Sequence, residues 1–352
     1  MKKIAIILLV AALVCAGIAA VAEPDKPFAG TTLNVFNWYD YIDEAVLDLF
    51  TEQTGIEINY AMFTQNEDMY AKLEAGWDYY DVIFPSEYMI ERLIKEDRLA
   101  ELDLDNVPNL ENVLDNLRDP SYDPGNAHSV PYMWGTLGIL YNTDLVSGPI
   151  TSWRSLFDEQ YKGSIFMMNS LRDTIGLGLK TLGYSMNTRD EAQLREACDL
   201  LVQQKRDGLV SGNFVDETKD KMVAGEGILG LVWSGDAQYA INLNDKLAYV
   251  VPKEGSNVWV DGMVIPKAAK NPENAMKFID FLCRPDIAQM NTEYIEYSSP
   301  NQAAIDLMGE EYLNNPNLNP PQEVIDGSEF FSDIQDFITI YNTLWAQVKN
   351  AK

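Results

Sequence analysis

The chain has 352 residues, 47% of them hydrophobic, enough apolar material to give each of two ordinary domains its own core. It carries 54 acidic against 26 basic residues, a formal charge of −28 that repels nucleic acid and anionic lipid surfaces. A single histidine, His128, and the lack of any metal-ligand spacing of Cys or His argue against histidine-based or metal-assisted catalysis.

At the start of the chain, Lys2 and Lys3 precede an apolar or small run from Ile4 to Ala20 that ends in Ala20-Val21-Ala22. That pattern predicts a secretory signal peptide over residues 1–22, cleaved after Ala22, and therefore an extracytoplasmic protein. A lipoprotein anchor at Cys15 is the weaker alternative, because bulky Val14 precedes it. Leu33 to Phe36 alternates as a strand, and Asp43 to Thr54 places Val46, Leu47, Leu49 and Phe50 on one helical face before Gly55 closes it. Ile56 to Tyr60 alternates again. A third apolar run, Val82 to Phe84, stops at Pro85-Ser86 and leads into a helix carrying Met89, Ile90, Leu93 and Ile94. The rhythm restarts at Ile165 to Met168, followed by a helix-like segment to Leu182. The next helix opens with Thr188 and Glu191 at capping-box spacing and buries Leu194, Ala197, Cys198 and Leu201. Strands are predicted at Ile228 to Trp233, Leu247 to Val251 and Val258 to Ile265. Asn271-Pro272 then opens a helix with Ala275, Phe278, Ile279 and Leu282 inward. Cys198 and Cys283 fall on apolar helical faces, which predicts two buried free thiols in place of a disulfide.

Two successive strand-helix series predict an α/β protein of two units, each a sheet covered by helices, with ligand chemistry at the carboxyl ends of the strands. Those ends are aromatic and acidic: Trp38-Tyr39-Asp40-Tyr41, Ser86-Glu87-Tyr88, Trp233-Ser234-Gly235-Asp236 and Trp259-Val260-Asp261. Carboxylates among Trp and Tyr faces suit alkyl ammonium groups, which need anionic partners once desolvated and are attracted to ring faces. Other readings compete. A carboxylate pair such as Asp236 and Asp261 is what a glycosidase uses. A related receptor for a sugar would keep the aromatics with less use for the acids, and an amino-acid receptor would present an arginine, yet the four clusters hold no Arg or Lys. Gly225-Glu226-Gly227-Ile228-Leu229-Gly230 imitates a dinucleotide fingerprint but runs from a turn into a strand, the wrong context.

The chain resembles the bacterial spermidine/putrescine-binding proteins of polyamine ABC importers. The likeness runs along nearly the whole exported chain, through Phe36-Asn37-Trp38-Tyr39-Asp40-Tyr41, Pro85-Ser86-Glu87-Tyr88, Val130-Pro131-Tyr132-Met133-Trp134-Gly135, Trp233-Ser234-Gly235-Asp236, Val251-Pro252-Lys253-Glu254-Gly255 and Ser299-Pro300-Asn301. The resemblance implies a two-lobed periplasmic-binding-protein fold of type II, each lobe a mixed, mostly parallel sheet flanked by helices, with the ligand cleft between the lobes. Lobe I is expected over 30–138 and 262–308, lobe II over 139–261 and 309–352, with chain crossings near 135–140 and 262–266. It further implies a non-enzymatic monomer without cofactor or metal, delivering a polyamine to an ABC importer's membrane permease. Carried over by position, Trp38, Trp233, Trp259 and Tyr297 match aromatic walls, Ser86 and Tyr88 a polar lining and Asp261 an acid that holds an amine, while Asp173 falls where the family usually has glutamate and Asp40 stands in the first turn, where relatives have an acid that can reach a terminal ammonium. Tyr41 shares that turn. Ser170 stands where spermidine-preferring relatives carry aspartate, Phe331 near where they place glutamine, and Asp236 matches the putrescine-specific branch; Tyr39 fits neither branch. The balance slightly favours putrescine over spermidine.

Overall fold

The computed structural model describes residues 26, 28–334 and 337–351. The expected signal peptide and Cys15 lie outside them.

The first half-sheet follows the predicted rhythm. Strand β1 (Thr32–Trp38) pairs in parallel with β2 (Glu57–Phe63) and with β3 (Val82–Ile83). Helix α1 (Glu44–Thr54) connects β1 to β2; Asp43 caps its N-terminus by accepting from Ala45 N, and Gly55, at φ 80, closes it in the left-handed region that favours glycine. Helices α2 (Asn66–Ala75) and α3 (Glu87–Lys95) follow β2 and β3.

Strand β4 (Ser129–Asn142) is an element that the periodicity does not reveal. It is buried on both faces, so it lacks alternation, and it contains Pro131, which cannot donate to a ladder. The proline is accommodated where the register shifts, between Pro131 and Met133. Residues Ser129 to Thr136 of β4 pair with β9 (Val258–Val264), whereas Leu137 to Tyr141 pair with β7 (Leu229–Trp233) and Ile139 to Asn142 with β8 (Leu247–Val250). One strand thus belongs to two sheets: β2-β1-β3-β9-β4 on one side, and β4-β7-β5-β6 with β8 beside β4 on the other. In the second sheet β5 (Ile165–Met168) runs parallel to both β6 (Val210–Phe214) and β7.

Strand β4 changes partners at 136–137. After β8 the chain returns to the first sheet, where β9 pairs with β4 along its whole length and with β3 at Val264.

Helices α4 (Leu171–Thr181), α5 (Glu191–Arg206), α6 (Glu217–Val223) and α7 (Ser234–Leu243) flank the second sheet. The cap of α5 is Asp190, whose carboxylate accepts from Ala192 N at 2.8 Å, and not Thr188. Thr188 donates to Gln193 and accepts from Asp190 N, so its hydroxyl organises the approach to the helix. Helices α8 (Pro272–Leu282), α9 (Pro285–Ile295) and α10 (Gln302–Leu313) stay near the first sheet, followed by the short α11 (Gln322–Asp326). The last helix, α12 (Ile338–Asn350), packs Tyr341, Leu344, Trp345 and Val348 into the second core with Leu194, Ala197, Cys198 and Leu201. Both Cys198 and Cys283 are free and buried; burial pushes the Cys198 thiol up to about 12. Among the described residues no helix is long and apolar enough to cross a membrane.

Candidate functional site

Each residue nominated from sequence lines one cavity of about 250 Å³ between the two sheets: Trp38, Tyr39, Asp40, Tyr41, Ser86, Tyr88, Ser170, Asp173, Trp233, Asp236, Trp259, Asp261, Tyr297 and Phe331. Topology explains the convergence. Trp38 ends β1, and the turn after it puts Asp40 at φ 51, a conformation Asp tolerates better than most residues. Ser86 precedes α3, Ser170 precedes α4 and Trp233 precedes α7, so three helix N-termini face the space. Glu87, Asp173 and Asp236 sit in the first turns of these helices, where the helix dipole favours a carboxylate.

Two acids form separate anionic seats. Asp261, buried in β9, accepts from Ser86 Oγ at 2.6 Å and from the Tyr41 hydroxyl at 2.9 Å. Burial raises its carboxyl to about 7, with Asp173 adding to the rise while the two hydrogen bonds oppose it. Asp173 accepts from Ser170 Oγ at 2.5 Å and from Trp233 Nε1 at 3.4 Å, and burial also lifts it above the ordinary carboxylate range. Donors that leave these oxygens anionic but neutralise nothing make both acids suitable for an incoming cation.

Rings enclose the seats. Trp38 spends its Nε1 on Phe84 O at 2.7 Å, which fixes the indole and leaves its ring as wall. Trp259 and Tyr297 meet edge to face with centroids 5.2 Å apart, and Tyr41 meets Tyr297 at 5.7 Å. Gly235 is required by this packing: a Cβ there would lie 2.5 Å from the Tyr297 ring. Tyr88 and Phe331 form another edge-to-face pair at 6.1 Å, whereas Tyr39, 56% exposed, sits at the mouth.

The cavity also holds residues that the four sequence clusters left out. Glu67 lies just after β2, in the same kind of strand-to-helix turn, and accepts from the Tyr88 hydroxyl at 3.0 Å. Lys219 follows β6, a strand whose Ser-Gly-Asn middle hides it from a periodicity reading, and its Nζ lies 3.2 Å from Asp236 Oδ1. Asp236 therefore already has an ammonium partner from the chain. Arg172 is in the lining too, so the absence of Arg and Lys from the clusters does not extend to the cavity. Its guanidinium is engaged elsewhere: it donates to Ser332 O and Asn187 Oδ1 and stacks on the rings of Phe331 and Tyr88, 4.3 and 5.0 Å from their centroids. Glu87 is fully buried, accepts from Phe331 N and Val260 N, and is raised to about 8 by burial. His128 is remote from the cavity and pairs with Asp123 at 3.1 Å.

A family model described as bacterial extracellular solute-binding protein matches residues 45–320. The chain is 35% identical over 351 residues to the spermidine/putrescine-binding periplasmic protein of Salmonella typhimurium, covering 99% of both. Among solved structures, a Listeria monocytogenes protein ascribed to a spermidine/putrescine ABC transporter superposes with a TM-score of 0.88 at 36% identity, over 92% of this chain and 100% of that one. The spermidine/putrescine ABC transporter substrate-binding protein PotD of Streptococcus pneumoniae gives 0.79 at 39% identity, over 91% and 98%.

Proposed function

Because the chain belongs to the bacterial extracellular solute-binding proteins, within the spermidine/putrescine-binding group of ABC transport, we propose that its cavity captures a linear polyamine, putrescine slightly ahead of spermidine, for delivery to a membrane permease. It is a binding protein and not an enzyme, and it works outside the cytoplasmic membrane as a monomer.

One observation carries the ligand reading. Asp261 and Asp173 are buried, lack any ion-pair partner among the described residues, and stand among Trp38, Trp233, Trp259 and Tyr297. A diamine satisfies both carboxylates while its methylenes lie on the rings, and each cation–π contact contributes about 0.5–2 kcal/mol. A free amino acid would leave its carboxylate facing this acidic lining, because Arg172 is spent on Ser332, Asn187 and two rings. Ser170 favours the diamine: it donates to Asp173 where an acid would supply another cation seat.

Isothermal titration of the protein, stripped of carried-over ligand by unfolding and refolding, tests the proposal with putrescine, spermidine, spermine, maltose and glutamate. One-to-one binding confined to the polyamines supports it. Binding of maltose or glutamate with no response to any polyamine sinks it.

A further inference from the structure

The part of the cavity beside Asp236 is already filled by a cation of the chain itself. Lys219 Nζ lies 3.2 Å from Asp236 Oδ1, 4.0 Å from Asp40 Oδ2 and 5.1 Å over the Tyr239 ring, and the side chain is only 18% exposed. Two carboxylates and an aromatic face are the surroundings a bound alkyl ammonium would require. Burial works to discharge this lysine, and the charges of Asp236, Asp40 and Asp216 outweigh it and hold the ammonium above its ordinary value. Asp261 and Asp173, by contrast, have neutral donors only.

We propose that Lys219 is a specificity-determining residue, whose ammonium takes the seat at Asp236 and Asp40, closes that seat to an ammonium of the ligand and so selects diamines over longer polyamines. The inference rests on the polyamine reading and sharpens it. A triamine whose third ammonium reaches this seat must push Lys219 out of a mostly buried ion pair. Like charge there also repels the third ammonium, so discrimination comes from rejection as well as from fit.

The test is titration of the wild-type protein, Lys219→Met, Lys219→Gln, Lys219→Arg and the double variant Lys219→Met/Asp236→Asn with putrescine and spermidine at fixed ionic strength. Methionine keeps the length of the stem and removes the charge. The ratio of spermidine to putrescine affinity is expected to rise about tenfold in the Met and Gln variants, to stay at the wild-type value in the Arg variant, and to lose its gain in the double variant. A ratio within about twofold of wild type in both neutral variants overturns the assignment. So does a gain that survives loss of Asp236, since Lys219 would then act only by filling space. Absence of polyamine binding in the wild-type protein removes the ligand reading and this inference together, whereas binding with an unchanged ratio removes this inference alone.

Discussion

Asp261 concentrates the chemistry of the site in one side chain. It is buried, anchored by Ser86 and Tyr41, and paired with no cation among the described residues. Asp261→Asn keeps the shape and loses the charge, so polyamine affinity is expected to fall by about 1–3 kcal/mol in a protein that still folds. Titration calorimetry with a circular dichroism control checks this, and unchanged affinity would remove Asp261 from the site. The same carboxyl makes a pH prediction. Its folded value, about 7, stands above the unfolded value of about 4, so its stabilising contribution is complete below about pH 4 and is lost as pH rises through about 7. The melting temperature of the ligand-free protein should carry a component that declines between those limits, and the asparagine variant should lack it. A polyamine favours the ionised form, so its thermal shift should grow over the same range. Most of this site was legible in the sequence, because an aromatic next to an acid recurs at the ends of recognisable strands, as in Trp38-Tyr39-Asp40 and Trp233-Ser234-Gly235-Asp236. Lys219 and Glu67 also follow strands, but no aromatic stands beside them in the chain and β6 itself lacks a periodic signal, so neither was legible. Sequence says which acids lie in a turn but not which of them the chain neutralises itself.

Elements were legible where one face meets water and illegible where neither does. Helix α1, with its inward stripe and Gly55 stop, follows from periodicity alone. Strand β4 does not: burial on both faces erases alternation, and Pro131 reads as a break until the bulge that accommodates it is seen. Strand β6 fails for the opposite reason, being half-exposed and polar. At the start of α5 the spacing of Thr188 and Glu191 imitated a capping box, but the chain reaches its first helical turn later, and Asp190 supplies the oxygen. Asp190→Ala should therefore cost about 1 kcal/mol of stability. Thr188→Ala should cost less, because its hydroxyl bonds to a side chain and to one non-helical amide. Urea denaturation of both variants ranks them, and a larger loss at Thr188 would restore the capping box.

The molecule as a whole is two sheets that share β4 and touch across the cavity through polar contacts as well as the packing of Gly235 against Tyr297. Asn242 on α7 donates to Glu296 Oε1 at 2.6 Å, Asn315 and Asn317 both donate to Gln238, and Lys219 approaches Asp40. The segment through Phe331 bridges the sides as well: Phe331 N and Asp333 N donate to Glu87 and Glu91 on α3, while Ser332 N donates to Asn187 beside α5. Two-lobed architecture was legible from the repeated strand-helix series, but the partners of β9 were not, since the strand looks alike whichever sheet it joins. The polar contacts set an energetic expectation. A single net hydrogen bond contributes about 0.5–1.5 kcal/mol, and a dication bonded to Asp261 on one side and Asp173 on the other adds a further link between them. Putrescine should therefore compact the protein, lowering the radius of gyration in small-angle scattering and changing the fluorescence of Trp38, Trp233 and Trp259. Asn242→Ala touches no part of the proposed ligand seats but removes a bond at the rim, so it should raise the ligand's off-rate more than it lowers the on-rate and weaken binding by about 0.5–1.5 kcal/mol. A radius of gyration that does not change on saturation, together with wild-type kinetics in Asn242→Ala, would mean that the two sides do not move against each other and that the cavity admits its ligand without closure.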